Sequence, residues 1–320
     1  MKKALKITGK ILLGILILFA VFLLGLGIYN KIKSKNEAPL LEKTPGQFVE
    51  VDGARMNVCT VGEGKHTLVM LAGWATSCPV YDFRAVSDRL KDDYRLVIIE
   101  KFGYGFSDIV DGERSVETML RQDREALDKA GITGPYVLCP HSMGGLEALY
   151  WAQKYPEEVE AFIGLDPAVP DDYLNYDAKK DYRTCRALGV LSGIGATRVI
   201  GVSSSIDKEF SDRLSPEELE IFKALIYKNS MNVTLANEGL GIPDACEKIN
   251  SLPKPQMPML IFSSNGKNAA GASWVEAKKN YAAGADNIEL VQLDCAHDVQ
   301  NLEPEKISEK MKEFLAGLDK

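Results

Sequence analysis

The residues best arranged for chemistry lie between Tyr136 and Gly145, where an apolar run, Tyr136-Val137-Leu138-Cys139, leads through Pro140-His141 to Ser142-Met143-Gly144-Gly145. A helix-forming stretch, Leu146 to Trp151, follows at once. A serine at so tight a strand-to-helix turn is held in strained backbone geometry with its hydroxyl clear of the sheet. Gly144 and Gly145 then let strand and helix approach closely. The Met143 backbone N–H, at the helix start, faces the place where an oxyanion would form and is favoured there by the helix dipole. The plainer alternative is a β-to-α turn in which the serine merely caps the helix.

A hydroxyl becomes a useful nucleophile only beside a base. The chain has three histidines. His66 precedes an apolar strand at the end remote from Ser142 and is expected on the surface. His141 is locked into the turn beside the serine, so its ring has poor access to the neighbouring hydroxyl. His297 follows the last apolar run, in Leu293-Asp294-Cys295-Ala296-His297-Asp298, and is the candidate base. It would take the Ser142 proton and return it to a leaving group.

The turn around Ser142 resembles that of the α/β-hydrolase superfamily, and the resemblance covers roughly residues 47–318. The family motif is Gly-x-Ser-x-Gly; Pro140 stands here in place of the first glycine. Proline is tolerated at a strand end, where its missing N–H need not serve the ladder. The resemblance implies a second oxyanion donor from Leu71-Ala72-Gly73-Trp74, namely the Trp74 backbone N–H, with Ala72 in place of the family's usual histidine. It also matches Glu100-Lys101-Phe102-Gly103-Tyr104-Gly105-Phe106-Ser107 to the loop after the fourth strand, read here as structural. The family's catalytic histidine belongs in the loop that carries His297.

Many members of the superfamily carry the acid after the strand matched by Met259 to Phe262, but Ser263 to Asn268 contain no carboxylate. Others carry it one strand earlier, where Asp166 stands in Leu165-Asp166-Pro167. The order Ser142, Asp166, His297 keeps the family's order of nucleophile, acid and base. The bland reading of Asp166 is a strand-end cap. A serine nucleophile argues against the dehalogenase and epoxide-hydrolase branches, which use an aspartate. Gly73, Phe102 and His141 are the candidate substrate-binding residues, with Trp74, Tyr104 and Phe106 adding to an apolar pocket.

The elements that must position these groups are legible as buried apolar runs alternating with helical patterns. Phe48–Val51, the turn Asp52-Gly53 and Met56–Val58 form a hairpin, since Asp-Gly supplies the two positive-φ positions of a type I′ turn. Further runs lie at 67–71, 95–99, 136–138, 161–165, 259–262 and 288–291. Helices are expected at Val80–Leu90, Ser115–Lys129, Gly145–Tyr155, Trp274–Ala282 and Pro304–Leu315. Such alternation predicts an α/β fold, a mostly parallel eight-stranded sheet with helices on both faces. Residues of about 170–250 break the rhythm and predict a helical cap inserted between two strands; Ser215-Pro216-Glu217-Glu218 is a helix start within it.

Ahead of this domain, Lys2, Lys3, Lys6 and Lys10 precede an unbroken apolar run, Ile11 to Ile28, which Lys31, Lys33 and Lys35 close. As a helix it spans roughly 27 Å, near the hydrocarbon thickness of a bilayer. It exceeds the usual signal-peptide core and lacks an A-x-A-like site, which favours an uncleaved anchor over residues 1–35 against a cleaved signal. Residues 36–46 read as a linker. Four lysines before the run against three after it favour a single-pass membrane protein with an exoplasmic catalytic domain. Six scattered cysteines without metal-like spacing read as free thiols, which weigh gently for the other side.

The net charge of −7 excludes a basic nucleic-acid-binding face. No metal-ligand spacing and no phosphate-binding Gly-Lys-Ser/Thr loop is present, so no cofactor is expected. The leading expectation is a hydrolase of an ester or related acyl bond, with a small apolar or amphipathic acyl substrate. An aminopeptidase or amidase of the same fold and a non-catalytic binding protein remain alternatives, and so does acyl transfer to an alcohol.

Overall fold

The computed structural model describes residues 2–319; Met1 and Lys320, and the side chains of Lys2 and Lys3 that flank the expected anchor, lie outside what it describes. Eight strands form one sheet: β1 (Gln47–Val51), β2 (Ala54–Val61), β3 (Thr67–Leu71), β4 (Arg95–Glu100), β5 (Tyr136–Ser142), β6 (Val159–Pro167), β7 (Met259–Ser263) and β8 (Ile288–Gln292). Their order is β1-β2-β4-β3-β5-β6-β7-β8. Only β2 runs against its neighbours, β1 and β4; every other pairing is parallel. Asp52 and Gly53 turn the hairpin with φ of 51° and 77°.

Central strands β3 and β7 are buried along their whole length, as parallel strands covered on both faces must be. One apolar cluster joins Val69, Leu71, Leu138 and Phe162 to Leu149 and Trp151; the other joins Leu68, Met70, Val137 and Ile163 to Val86, Ile307 and Met311. These are the two faces of one sheet, since neighbours along a strand alternate between them. Pro140 is accommodated inside β5: pairing with β6 runs to Leu138–Phe162 and resumes at His141–Leu165, so the missing N–H falls in the gap.

The expected helix at Val80–Leu90 is two helices, Pro79–Asp82 and Arg84–Leu90, separated at Phe83. Between β6 and β7 the chain is helical, with Ala178–Gly193, Pro216–Asn229 and Val233–Ser251 as the long pieces. Ser215 caps its helix through a reciprocal pair with Glu218.

The N-terminal helix runs from Lys2 to Glu37 and is long and apolar enough to cross a membrane. Residues 36–46 are not a uniform loop. The helix continues to Glu37 and passes into a 3₁₀ turn, Ala38–Glu42, before β1. Lysine- and glutamate-rich sequence reads as a solvated linker, yet the same residues are good helix formers that simply prolong the preceding helix.

Candidate active site

Ser142 ends β5 with φ of 51°, a left-handed conformation that costs a residue with a Cβ about 1–2 kcal/mol. The Gly144–Lys154 helix begins two residues later. The close approach is visible at both glycines. A Cβ on Gly144 would lie 2.6 Å from the Leu71 carbonyl oxygen, and one on Gly145 would lie 2.3 Å from that of Ala168.

His297 follows β8 and reaches back across the sheet edge. Its Nε2 lies 2.8 Å from Ser142 Oγ and its Nδ1 lies 2.6 Å from Asp166 Oδ2. Asp166, fully buried near the end of β6, takes φ of 48°, a conformation that aspartate accepts more readily than most residues. Its other oxygen accepts from the Ser264 N–H at 3.0 Å. Burial alone would raise the Asp166 carboxyl. The hydrogen bond from His297 and the Lys278 ammonium outweigh it, and the acid is held below its ordinary range.

Lys278, completely buried on the Ala272–Ala282 helix, had no place in the sequence reading. Its Nζ lies 3.3 Å from Asp172 Oδ2, donates to the Trp274 carbonyl at 3.1 Å and sits 3.5 Å from the centre of the Trp274 ring. That indole in turn packs nearly perpendicular to the His297 ring, with centroids 5.0 Å apart. Lys278 and Trp274 thus brace the acid and the base from behind. The only available signal was their spacing, four residues apart on an amphipathic helix, which does not distinguish them from core residues.

His141 stacks obliquely on His297, with centroids 4.8 Å apart. Its Nε2 lies 3.2 Å from the His297 carbonyl oxygen; a carbonyl only accepts, so Nε2 carries the proton and Nδ1 is an acceptor. Burial, then the proximity of His297, pushes the His141 ring down to about 4, so it is neutral near pH 7. Nδ1 has no partner. It faces Gly73, where a Cβ would lie 3.1 Å from it and 3.3 Å from Ser142 Oγ. A side chain at position 73 would fill the space in front of the hydroxyl.

A cavity of about 740 Å³ opens over these groups, with Gly73, Trp74, His141, Ser142 and His297 in its wall and Phe210 and Phe222 of the helical insertion opposite. The Trp74 and Met143 backbone N–H groups have no acceptor among the described residues. The Trp74 indole donates to the Leu235 carbonyl at 3.1 Å, which fixes that loop against the cap.

Two expectations fail. Phe102 is 1% exposed and packs in the core under the Arg114 guanidinium rather than lining the cavity. Tyr104 and Phe106 are likewise buried away from it. In this loop the glycines turn the chain so that its aromatic side chains point into the protein. His66 is buried, not on the surface, with Nδ1 2.9 Å from Glu160 Oε1.

A family profile described as alpha/beta hydrolase fold matches residues 66–300. The chain belongs to the alpha/beta-hydrolase family. It is 32% identical to the uncharacterized protein YbdG of Bacillus subtilis, over 98% of this chain and 97% of that one. It is also 26% identical to epoxide hydrolase 1 of Caenorhabditis elegans, over 92% of this chain and 77% of that one. Among solved structures, a thermophilic esterase from Thermogutta terrifontis superposes with a TM-score of 0.66 at 20% identity, covering 85% of this chain and 99% of that one. The haloalkane dehalogenase DbeA from Bradyrhizobium elkani superposes with 0.63 at 18%, covering 85% and 98%. These two establish the shared fold. As a member of this family the chain is a hydrolase-fold protein suited to a small-molecule substrate.

Proposed function

We propose that the protein is a membrane-tethered serine hydrolase that cleaves an ester or related acyl bond through an acyl-enzyme on Ser142. The observation that carries this reading is the hydrogen-bonded chain from Asp166 Oδ2 through His297 to Ser142 Oγ, at 2.6 and 2.8 Å. Asp166 holds Nδ1–H, so Nε2 is free to take the serine proton. Ser142 Oγ then attacks the acyl carbon, and the oxyanion is met by the Trp74 and Met143 N–H groups. Collapse expels the leaving group, which takes the proton from His297. Water, deprotonated by the same ring, attacks the acyl-enzyme, and the proton returns to Ser142 as the acid product leaves.

Gly73 leaves room for the incoming carbonyl, and the unpartnered His141 Nδ1 offers an acceptor to a substrate N–H or O–H. Ser142 stands where the epoxide-hydrolase and dehalogenase branches of the family use an aspartate, and a serine cannot form the alkyl-ester intermediate of those reactions on a carboxylate. Of the adjacent acids Asp171 and Asp172, which could hold the free amine of an aminopeptidase substrate, Asp172 is already occupied by Lys278. That supports ester over amino-acid amide. The apolar Ile11–Ile28 run is the membrane span, with the lysine balance favouring an exoplasmic domain.

The test is labelling of the full-length protein in detergent with a fluorophosphonate probe, comparing wild type with Ser142→Ala. Labelling abolished by the substitution supports an activated serine, and esters, thioesters and amino-acid amides then separate the acyl classes. A folded wild type that takes no label overturns the reading.

A further inference from the structure

Between Ala178 and Ser204 the cap carries apolar side chains that the other described residues leave exposed. Leu188, Val190 and Leu191 on the Ala178–Gly193 helix, and Val199 and Ile200 beyond it, are 42–73% exposed. Single exposed apolar side chains are ordinary, but five within thirteen residues are a concentration of exposed apolar surface of the kind found at interaction sites. The segment bends by 70° near Gly195. At that bend it packs on the N-terminal helix: a Cβ on Gly195 would lie 2.8 Å from Asn30 Cβ and 3.2 Å from the Leu26 carbonyl oxygen.

The contact is specific. Asn30 Nδ2 donates to the Gly193 carbonyl at 2.8 Å, Arg198 Nε donates to Asn30 Oδ1 at 2.7 Å, and the Arg198 guanidinium grips both Glu37 oxygens at 2.7 and 2.5 Å. Leu26 lies inside the apolar run that ends at Ile28. When that run fills the hydrocarbon, the bend stands at the level where hydrocarbon gives way to headgroups.

Charge agrees with this placement. Residues 178–204 carry Lys179, Lys180, Arg183 and Arg186 against Asp181, with Arg198 already paired to Glu37, in a chain whose net charge is −7. Lys31, Lys33 and Lys35 follow the apolar run on the N-terminal helix. Basic side chains beside exposed leucine, valine and isoleucine are the composition of a segment that lies in a lipid interface. Each near an anionic leaflet adds about 1 kcal/mol of attraction. The same segment runs on from Ile200 into Val202 and Ile206, which line the wall of the Ser142 cavity.

We propose that this face of the cap docks into the lipid interface beside the N-terminal helix, and that the cavity takes its substrate, an acyl ester dissolved in the bilayer, from that side. The proposal rests on reading the N-terminal helix as a span and Ser142 as an acyl-accepting nucleophile.

Full-length protein is reconstituted into vesicles of phosphatidylcholine with a minority of phosphatidylglycerol, with and without brominated acyl chains. Ile200→Trp should be quenched by bromine above the background of the native tryptophans, while Ile109→Trp, exposed on the body, should not. Equal quenching at the two positions overturns docking, and a face covered instead by another protein gives that result. In parallel, Val190→Ser/Ile200→Ser should hydrolyse a short water-soluble ester within about twofold of wild type, yet lose about tenfold or more on a vesicle-dissolved diacyl ester. Equal loss on both substrates, or none on either, overturns entry from the bilayer. Release of wild type from vesicles by alkaline wash would instead sink the span, and docking with it. Wild type inactive on every ester would sink the acyl chemistry, while the quenching still reads docking.

Discussion

Two turns at the carboxyl edge of the sheet look alike in sequence and do opposite work. After β5, Ser142 to Gly145 present a hydroxyl to the cavity, the proposed nucleophile. After β4, the glycine-rich loop from Lys101 to Ser107 presents nothing to it. Instead the loop accepts the cap. Asn232 Nδ2 donates to the Gly103 carbonyl at 2.8 Å, and Asn229 Nδ2 and Lys228 Nζ donate to the Gly105 carbonyl at 2.9 and 3.0 Å. Lys101, fully enclosed, bridges Glu238 of the cap at 2.8 Å and Glu147 of the helix behind Ser142 at 3.1 Å. Glu100 closes the loop by accepting from Asn57 and from the Phe106 N–H at 3.0 and 2.7 Å. Glycines around polar residues at a strand end therefore mark a turn; whether the turn does chemistry depends on what lies opposite it.

The comparison can be broken by substitution. Ser142→Ala should abolish ester hydrolysis, a loss of about 10⁴-fold or more, with the melting temperature little changed. Residual turnover near wild type would remove the β5 turn from the chemistry. Asp166→Asn should lower kcat by about 10³–10⁴-fold with a far smaller change in KM, because the amide presents the wrong tautomer to His297. If kcat survives, another group orients the base.

Across the comparison, Lys101→Met should cost about 3–5 kcal/mol in denaturant unfolding by leaving Glu147 and Glu238 buried without a cation. Activity per folded molecule should stay within a few-fold of wild type. A catalytic loss with stability intact would make the two turns alike after all. The smallest effect is expected from Asp82→Asn. Burial, reinforced by the charge of Asp298, pushes the Asp82 carboxyl up to about 6. A raised acid stabilises the fold most below its ordinary range and loses that contribution as pH rises through about 6. Wild type should therefore fall in stability relative to the variant between pH 4 and 6, and parallel curves would show that the group titrates normally.

Local pattern revealed most of the architecture and little of what crosses it. The eight strands, the insertion after β6 and the Asp52-Gly53 hairpin could be read because each is encoded within a few residues. Asp166, which lies 2.6 Å from His297 Nδ1, could be proposed as the acid because Ser263 to Asn268 offer no carboxylate, which left one strand end to search. The support behind the site could not. Lys278 and Asp172 are 106 residues apart, and Lys101 and Glu238 are 137 apart, so no local spacing joins them. Phe102 and His66 were misplaced for a related reason: residue type suggested exposure or a pocket wall, while the direction of a loop side chain depends on tertiary packing. The stretch after Lys35 is partly helical because charged residues suit a solvated helix as well as a linker.

The unbroken N-terminal helix, clamped to the cap at Asn30 and Glu37, has a kinetic consequence in the proposed setting. A flexible leash would let the enzyme sample a hemisphere above the leaflet, whereas a rigid stalk confines its cavity to one height. Encounters then occur in a plane, and the quantity that saturates the enzyme is the mole fraction of ester in the surrounding lipid, not the amount per volume. Diluting the same ester with inert phospholipid should slow turnover even though the total ester in the tube is unchanged.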